Sequence, residues 1–237
     1  MRAVGTISTM TTITTTTTTM IDPPRALLRL LAWLSPGFPT GAYAYSHGVE
    51  WAVESGDVRD GETLRGWLAD ILSNGSGRND AILLRHAYRD ARDPAALADL
   101  SDHAAAIAPS RERLGETTDQ GAAFVRAAGA WECPMLPLAV AYPVAVGALA
   151  GWHGIDENLT AAAYLQAFAS NLISAAIRLV PLGQTTGLQV LAAIEPIIAQ
   201  VAADTAHATL DDIGGCTFRA DLAAMRHETQ YTRLFRS

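Results

Sequence analysis

Apolar residues recur along most of this chain at intervals of three and four, which is the spacing of one helix face. Asp22-Pro23-Pro24 is a cap followed by proline at the first helical positions, and it leads into "RALLRLLAWL". "SPGFPTGAYAYSHG" breaks that helix. Another resumes near Ser46, with Tyr45, Val49 and Val53 four apart and Gly56 as its stop. "ETLRGWLADIL" puts Leu64, Trp67, Leu68, Ile71 and Leu72 on one face before "NGSG" ends it. A helix through "NDAILLRHAYRDAR" follows, Asp93-Pro94 starts the next, and Ser110 caps one that runs through Phe124 and Val125.

Beyond the proline-spaced "ECPMLPLAVAYPVAVGALAGW", the longest helix covers about residues 159–180, and its Ala and Ser content suits close packing. "PLGQTTG" interrupts, and a last long helix spans about 186–203 with a kink at Pro196. Sustained apolar–polar alternation is missing, so strands are absent or trivial. The pattern predicts an all-α, single-domain bundle of about eight to ten helices over residues 22–237. Residues 1–21, with "TTITTTTTTM", form a low-complexity leader that we expect to be disordered. After the "DDIGGC" turn, residues 215–237 form a tail that we expect to be mobile until a partner orders it.

The formal net charge of -7 argues against a nucleic-acid binder. All 17 basic residues are arginine, so any task needing a cation falls to a guanidinium, which favours fixed, forked pairing over proton transfer. Two cysteines far apart, Cys133 and Cys216, indicate a reducing compartment and the cytoplasm rather than a disulfide framework. Mean hydropathy is +0.15, but the most apolar helical candidate, 161–180, carries Gln166, Asn171 and Arg178, and we expect no membrane span.

Catalytic signatures are missing from the sequence: no phosphate-cradling P-loop, no GxSxG elbow and no HExxH. The histidines (His47, His86, His103, His153, His207 and His227) are scattered, so we expect neither a resident metal nor a bound cofactor. Glu50 and Glu54 share a helix face, where a carboxylate pair is ordinarily solvated. Arg178 stands three residues before a Pro-Leu-Gly turn, and the helix macrodipole alone would explain a cation there. Asp80 reads equally well as a helix-start residue. The tail is different: Tyr231, Leu234 and Phe235 lie among Arg226, Arg233 and Arg236, the composition of interface anchors.

Three stretches, "SPGFPTGAYAYSHGVEWAVESG", "AAAYLQAFASNLISAAIRLVPLGQTTG" and "MRHETQYTRLFRS", resemble the urease accessory protein family UreF, and weaker similarity extends the match over about residues 26–237. The chain departs from that pattern at Ala42-Tyr43, where Gly-Phe is common, at His47, where Gln is common, and in its Thr-rich leader. The resemblance implies an all-α, non-enzymatic homodimer. It would join the accessory protein UreD (UreH) and the GTPase UreG for GTP-dependent nickel insertion into apo-urease, with nickel and GTP handled by the complex. By position, Arg226, His227, Tyr231, Arg233 and Arg236 would contact UreD. Glu50, Asp80 and Arg178 would face UreG, and Tyr164, Phe168 and Leu172 would lie at the dimer contact. A second reading is a metallochaperone that binds nickel itself, with His227 and Cys216 as ligands shared across a dimer axis.

Overall fold

The computed structural model describes residues 21–137 and 139–237; apart from Ile21, the expected leader lies outside the described residues. Ten α-helices are present among the described residues: α1 (Pro23–Trp33), α2 (Val49–Glu54), α3 (Gly61–Asn74), α4 (Ser76–Arg89), α5 (Pro94–Ala106), α6 (Arg111–Ala128), α7 (Tyr142–Trp152), α8 (Glu157–Leu179), α9 (Gly183–Asp204) and α10 (Phe218–His227). Short 3₁₀ turns stand at Ala42–Ala44, Thr205–His207 and Leu210–Asp212. No strand occurs among the described residues. The all-α expectation holds.

Local chemistry sets the helix starts. Prolines open α1, α5 and α7, where a missing N–H costs nothing. Asp93 accepts from the backbone N–H groups of Ala95 and Ala96, and Ser110 accepts from that of Arg113, as the sequence predicts. Asp60 and Thr63 close a reciprocal capping box on α3. The helix expected from Ser46 begins only at Val49, because His47 (φ 59°) and Gly48 (φ 78°) take left-handed conformations that no helix contains.

One apolar cluster of buried side chains runs from Ala26 on α1 to Ala223 on α10. Its middle is α7, which the sequence pattern leaves unassigned. Every residue from Pro143 to Gly151 is buried, so the helix has no polar face and therefore no 3.6-residue stripe to read. Its closest neighbour is α4. A Cβ at Gly147 would come within 2.1 Å of the Leu84 carbonyl oxygen, and one at Gly151 within 2.1 Å of that of Tyr88. Two glycines four apart thus let two backbones touch. The buried Arg85 of α4 is satisfied across the core by Glu157 (2.8 Å), Asn158 (2.9 Å) and Thr205 (3.3 Å).

Helix α9 is long and apolar enough, by length and composition, to cross a membrane. Its apolar surface has another destination: Val190, Ile194, Ile198 and Val201 are buried, and the helix packs on α3 and α8. It passes through Pro196 without ending. The chain after the "DDIGGC" turn is not tail throughout. Phe218–His227 is helical and buries Ala220, Ala223, Ala224 and His227 against α2 and α6. A contact face built from alanines carries almost no apolar signal, which is why spacing does not reveal it. We expect Gly147→Ala to lower stability by about 3 kcal/mol, the upper end of overpacking costs, and the thermal midpoint by roughly 6–12 °C. An unchanged melting curve by circular dichroism would mean that α4 and α7 are not in backbone contact.

Candidate functional site: the seat of the C-terminal segment

The bend between α1 and α2 carries the residues that receive the end of the chain. Gly48 (φ 78°) lies so close to α10 that a Cβ there would meet the Ala224 nitrogen at 2.8 Å. That approach turns the Glu50 side chain inward, where it is only 7 % exposed. Its Oε1 accepts the Leu234 N–H at 2.7 Å, and its Oε2 accepts the Phe235 N–H at 2.9 Å. The same Oε2 lies 3.0 Å from Nε2 of His227, whose Nδ1 lies 2.6 Å from Oε2 of Glu112 on α6. Arg233 Nη1 donates to the other Glu112 oxygen at 2.7 Å.

Further along, the Arg236 N–H donates to the Ala44 carbonyl at 2.8 Å and the Ser46 N–H to the Ser237 carbonyl at 2.7 Å. Ser237 Oγ donates to Glu116 at 2.7 Å, and Glu116 also pairs with Arg113. Phe235 is buried, and its ring carries the Arg178 guanidinium 4.3 Å from its centroid. Arg178 also donates to the Tyr43 carbonyl at 2.8 Å. A cation over an aromatic face adds roughly 0.5–1 kcal/mol at an exposed site. Arg236 reaches the Tyr45 phenol, which itself donates to Asp119 at 2.9 Å.

Behind this seat lies a polar pocket. His47 Nε2 is 2.6 Å from Ser76 Oγ, Nδ1 is 3.4 Å from Glu116, and the ring meets Phe168 edge-on at 5.0 Å. Burial and the nearby Arg113 cation hold the His47 imidazole down at about 4, so it is neutral at pH 7. Burial alone would raise the Glu116 carboxyl, but Arg113 and His47 override it and keep it well below the usual range. Asp80, on α4, accepts from the Tyr164 hydroxyl at 2.7 Å. Burial pushes its carboxyl up to about 6 against the pull of Arg113 and that hydrogen bond. Asp80, Arg113 and Glu116 line a cleft of about 1160 Å³, along with Leu27 and Leu31 of α1 and Leu159 and Phe168 of α8.

The sequence-predicted residues therefore divide differently from expectation. Glu50, assigned to one partner surface, and His227, assigned to another, touch each other and are both enclosed. Neither faces outward, because each satisfies the other's buried polar atoms. The tail expected to be mobile is seated, with Phe235 and Ser237 buried and Arg226, Tyr231, Arg233, Leu234 and Arg236 left exposed. Arg178 is exposed and joins this assembly through Phe235. Asp80 instead meets Tyr164 from the expected dimer contact. Tyr164 and Leu172 are core side chains, 2 % and 1 % exposed, and only Phe168 stays half-open to the cleft.

Within a single chain the proposed nickel ligands, His227 and Cys216, do not converge. Both ring nitrogens of His227 lie against carboxylates, while the exposed Cys216 sits by Asp221 at 3.7 Å. Among the described residues, no group of three or more His, Cys, Asp and Glu side chains is arranged to hold a metal ion. Sequence reasoning misses Glu112, Arg113, Glu116, His47 and Ser237. One signal was available: Arg113, Glu116 and Gln120, at helical spacing, form a buried polar stripe where an apolar one would be ordinary.

Residues 58–195 match the family model described as UreF. A urease accessory protein UreF from Bradyrhizobium sp. (strain BTAi1 / ATCC BAA-1182) is 54% identical over 226 residues, covering 92% of this chain and 94% of its own. The chain belongs to the UreF family of urease accessory proteins. The Rhodopseudomonas palustris (strain BisA53) member is 54% identical over 222 residues, covering 90% of this chain and 93% of its own. That of Methylobacterium radiotolerans is 53% identical over 229 residues, covering 92% of this chain and all of its own. Resemblance by motif and similarity over most of the chain thus agree on the family.

Asp80 gives this site a testable pH signature. Its folded-state value of about 6 lies above its ordinary 3.8, so the folded chain holds the proton more tightly than the unfolded one. Stability from this group is fully present below about pH 4, falls as pH rises toward 6, and stays lowered above it. We expect Asp80→Asn to stabilise the chain at pH 7.5 by up to about 3 kcal/mol and to change little at pH 4, as read by urea titration at both pH values. Equal effects at the two pH values would contradict the assignment.

Proposed function

We propose that this chain is a non-catalytic scaffold and regulator. It joins UreD (UreH) and the GTPase UreG so that nickel enters apo-urease under GTP control, and it acts as a homodimer in the cytoplasm. It holds neither nickel nor GTP tightly. The observation that carries this reading is the seated C-terminal segment. Its exposed residues (Arg226, Tyr231, Arg233, Leu234 and Arg236) form one arginine- and aromatic-rich surface suited to a carboxylate-bearing partner. The underside of the same segment, through Phe235, holds Arg178, the residue assigned to the GTPase. A partner that loads the segment would thereby act on the surface offered to the other partner.

The dimer reading draws on the cleft. Leu27 and Leu31 on α1 and Leu159 on α8 are more than half exposed, at 57 %, 60 % and 60 %, around a largely apolar hollow. Exposed apolar patches of this kind mark association surfaces, and a second copy would bury them.

Two experiments test these halves separately. Arg178→Ala should cut capture of UreG by the UreD-bound chain about tenfold, the worth of one charge-assisted contact, and lower urease activation with it. Undiminished UreG capture would remove Arg178 from that surface. Leu31→Asp should leave the chain monomeric in light scattering coupled to gel filtration, with unchanged helical circular dichroism. A variant that still dimerises would place the contact elsewhere.

A further inference from the structure

The bend that holds the C-terminal segment also touches α8, and it does so at residues of the cleft wall. The Tyr45 carbonyl accepts from Asn171 Nδ2 at 3.4 Å, and the His47 ring meets Phe168 edge-on at 5.0 Å. Asn171 and Phe168 both line the cleft, together with Leu31 and Leu159. Phe168 is only half-buried, so what stands behind it limits the positions its ring can take.

His47 stands there in a conformation it does not favour. Its φ of 59° lies in the left-handed region, which a residue with a Cβ occupies only where its surroundings hold it. Much of that hold comes from Ser237. The Ser46 N–H and Oγ both donate to the Ser237 carbonyl, the first at 2.7 Å, and the His47 N–H donates to Ser237 Oγ at 3.4 Å. Ser237 Oγ in turn donates to Glu116 at 2.7 Å, and the other Glu116 oxygen lies 3.4 Å from His47 Nδ1. We propose that His47 couples the two sites: a seated Ser237 clamps the imidazole behind Phe168 and so fixes the cleft wall, and departure of Ser237 frees turn, ring and wall together.

The two end states differ in contacts at both sites, as coupling requires. In one, Ser46, His47 and Glu116 all have Ser237 as a partner, and Phe168 has an imidazole at its back. In the other, the His47 backbone can leave the left-handed region, and Phe168 gains rotamers that a packed ring lacks. Whatever binds the cleft with Phe168 in its backed position therefore favours seating, and seating favours that binding by the same factor. The binder taken here is a second copy of this chain, a choice that rests on the dimer reading above; the link from Ser237 to Phe168 does not.

The test compares the full chain with one lacking Arg236 and Ser237, both carrying ¹³C in their phenylalanine rings. The deletion should shift and broaden the Phe168 resonance, assigned through Phe168→Leu, and leave those of Phe38 and Phe124, which pack on each other, in place. His47→Gln keeps a hydrogen-bonding side chain but has no ring, so in that background the deletion should no longer move Phe168. By sedimentation, the deletion should weaken dimerisation about tenfold in the native background and less than about twofold in His47→Gln. A Phe168 resonance that the deletion leaves unmoved, or moves equally in His47→Gln, would overturn the proposal. Equal dimer dissociation constants, in a chain that Leu31→Asp renders monomeric, would overturn it as well. If Leu31→Asp still dimerises, the dimer reading alone fails and the Phe168 resonance decides. Should the shortened chain not fold, Ser237→Gly, which removes only the hydroxymethyl group, takes its place with the same outcomes.

Discussion

The Glu50 carboxylate is the constraint on which the rest of this end of the molecule depends. A buried carboxylate is tolerated only when its oxygens are hydrogen-bonded or paired, since an unsatisfied one costs several kcal/mol. All three partners described for the Glu50 side chain come from the C-terminal part of the chain: the His227 ring and the backbone N–H groups of Leu234 and Phe235. Glu112 is in the same position, with His227 and Arg233 as its partners. If the segment left, two buried acids on α2 and α6 would have to find water or protons. The seat and the segment are therefore one thermodynamic unit, and neither has its present form without the other.

That unit reaches into the bend before α2. The Ala44 carbonyl and the Ser46 N–H are tied to Arg236 and Ser237, and Tyr43 lends its carbonyl to Arg178. Gly41 and Gly48 both sit at φ 78°, so the bend between them depends on conformations that other residues adopt rarely. A short stretch of this kind, without helical hydrogen bonds of its own through most of its length, takes its order from what it touches. Two partner surfaces can influence each other only through an element whose state both of them bias. The seated segment meets that requirement physically, with its outer face exposed and its inner face fixing both the bend and Arg178.

How much of this could be read in the sequence depended on where each signal lies. Caps such as Asp93 and Ser110 are local, so they were legible, and so was the striped face of α3. Helix α7 was not, because burial on all sides removes the periodicity that marks a helix. Helix α10 hides its contact face in alanines. At the end of the chain, buried Phe235 and Ser237 alternate with exposed Leu234 and Arg236. Alternation over four residues is too short to establish a period, and the exposed arginines dominate the composition. The tail therefore read as all surface. Glu50 and Glu112 belong to helices whose turns look solvated in one dimension, since their partners lie more than a hundred residues away.

Two buried histidines show how far surroundings, rather than residue type, decide what an imidazole does. His47 is buried where Arg113 already balances Glu116, so burial first and the Arg113 cation second hold its ring neutral. His227 instead lies between Glu50 of α2 and Glu112 of α6, the second of which also takes Arg233. Its two ring nitrogens therefore tie α2 to α6 through a single side chain, and the helix end that carries it becomes the point around which the rest of the seat is built.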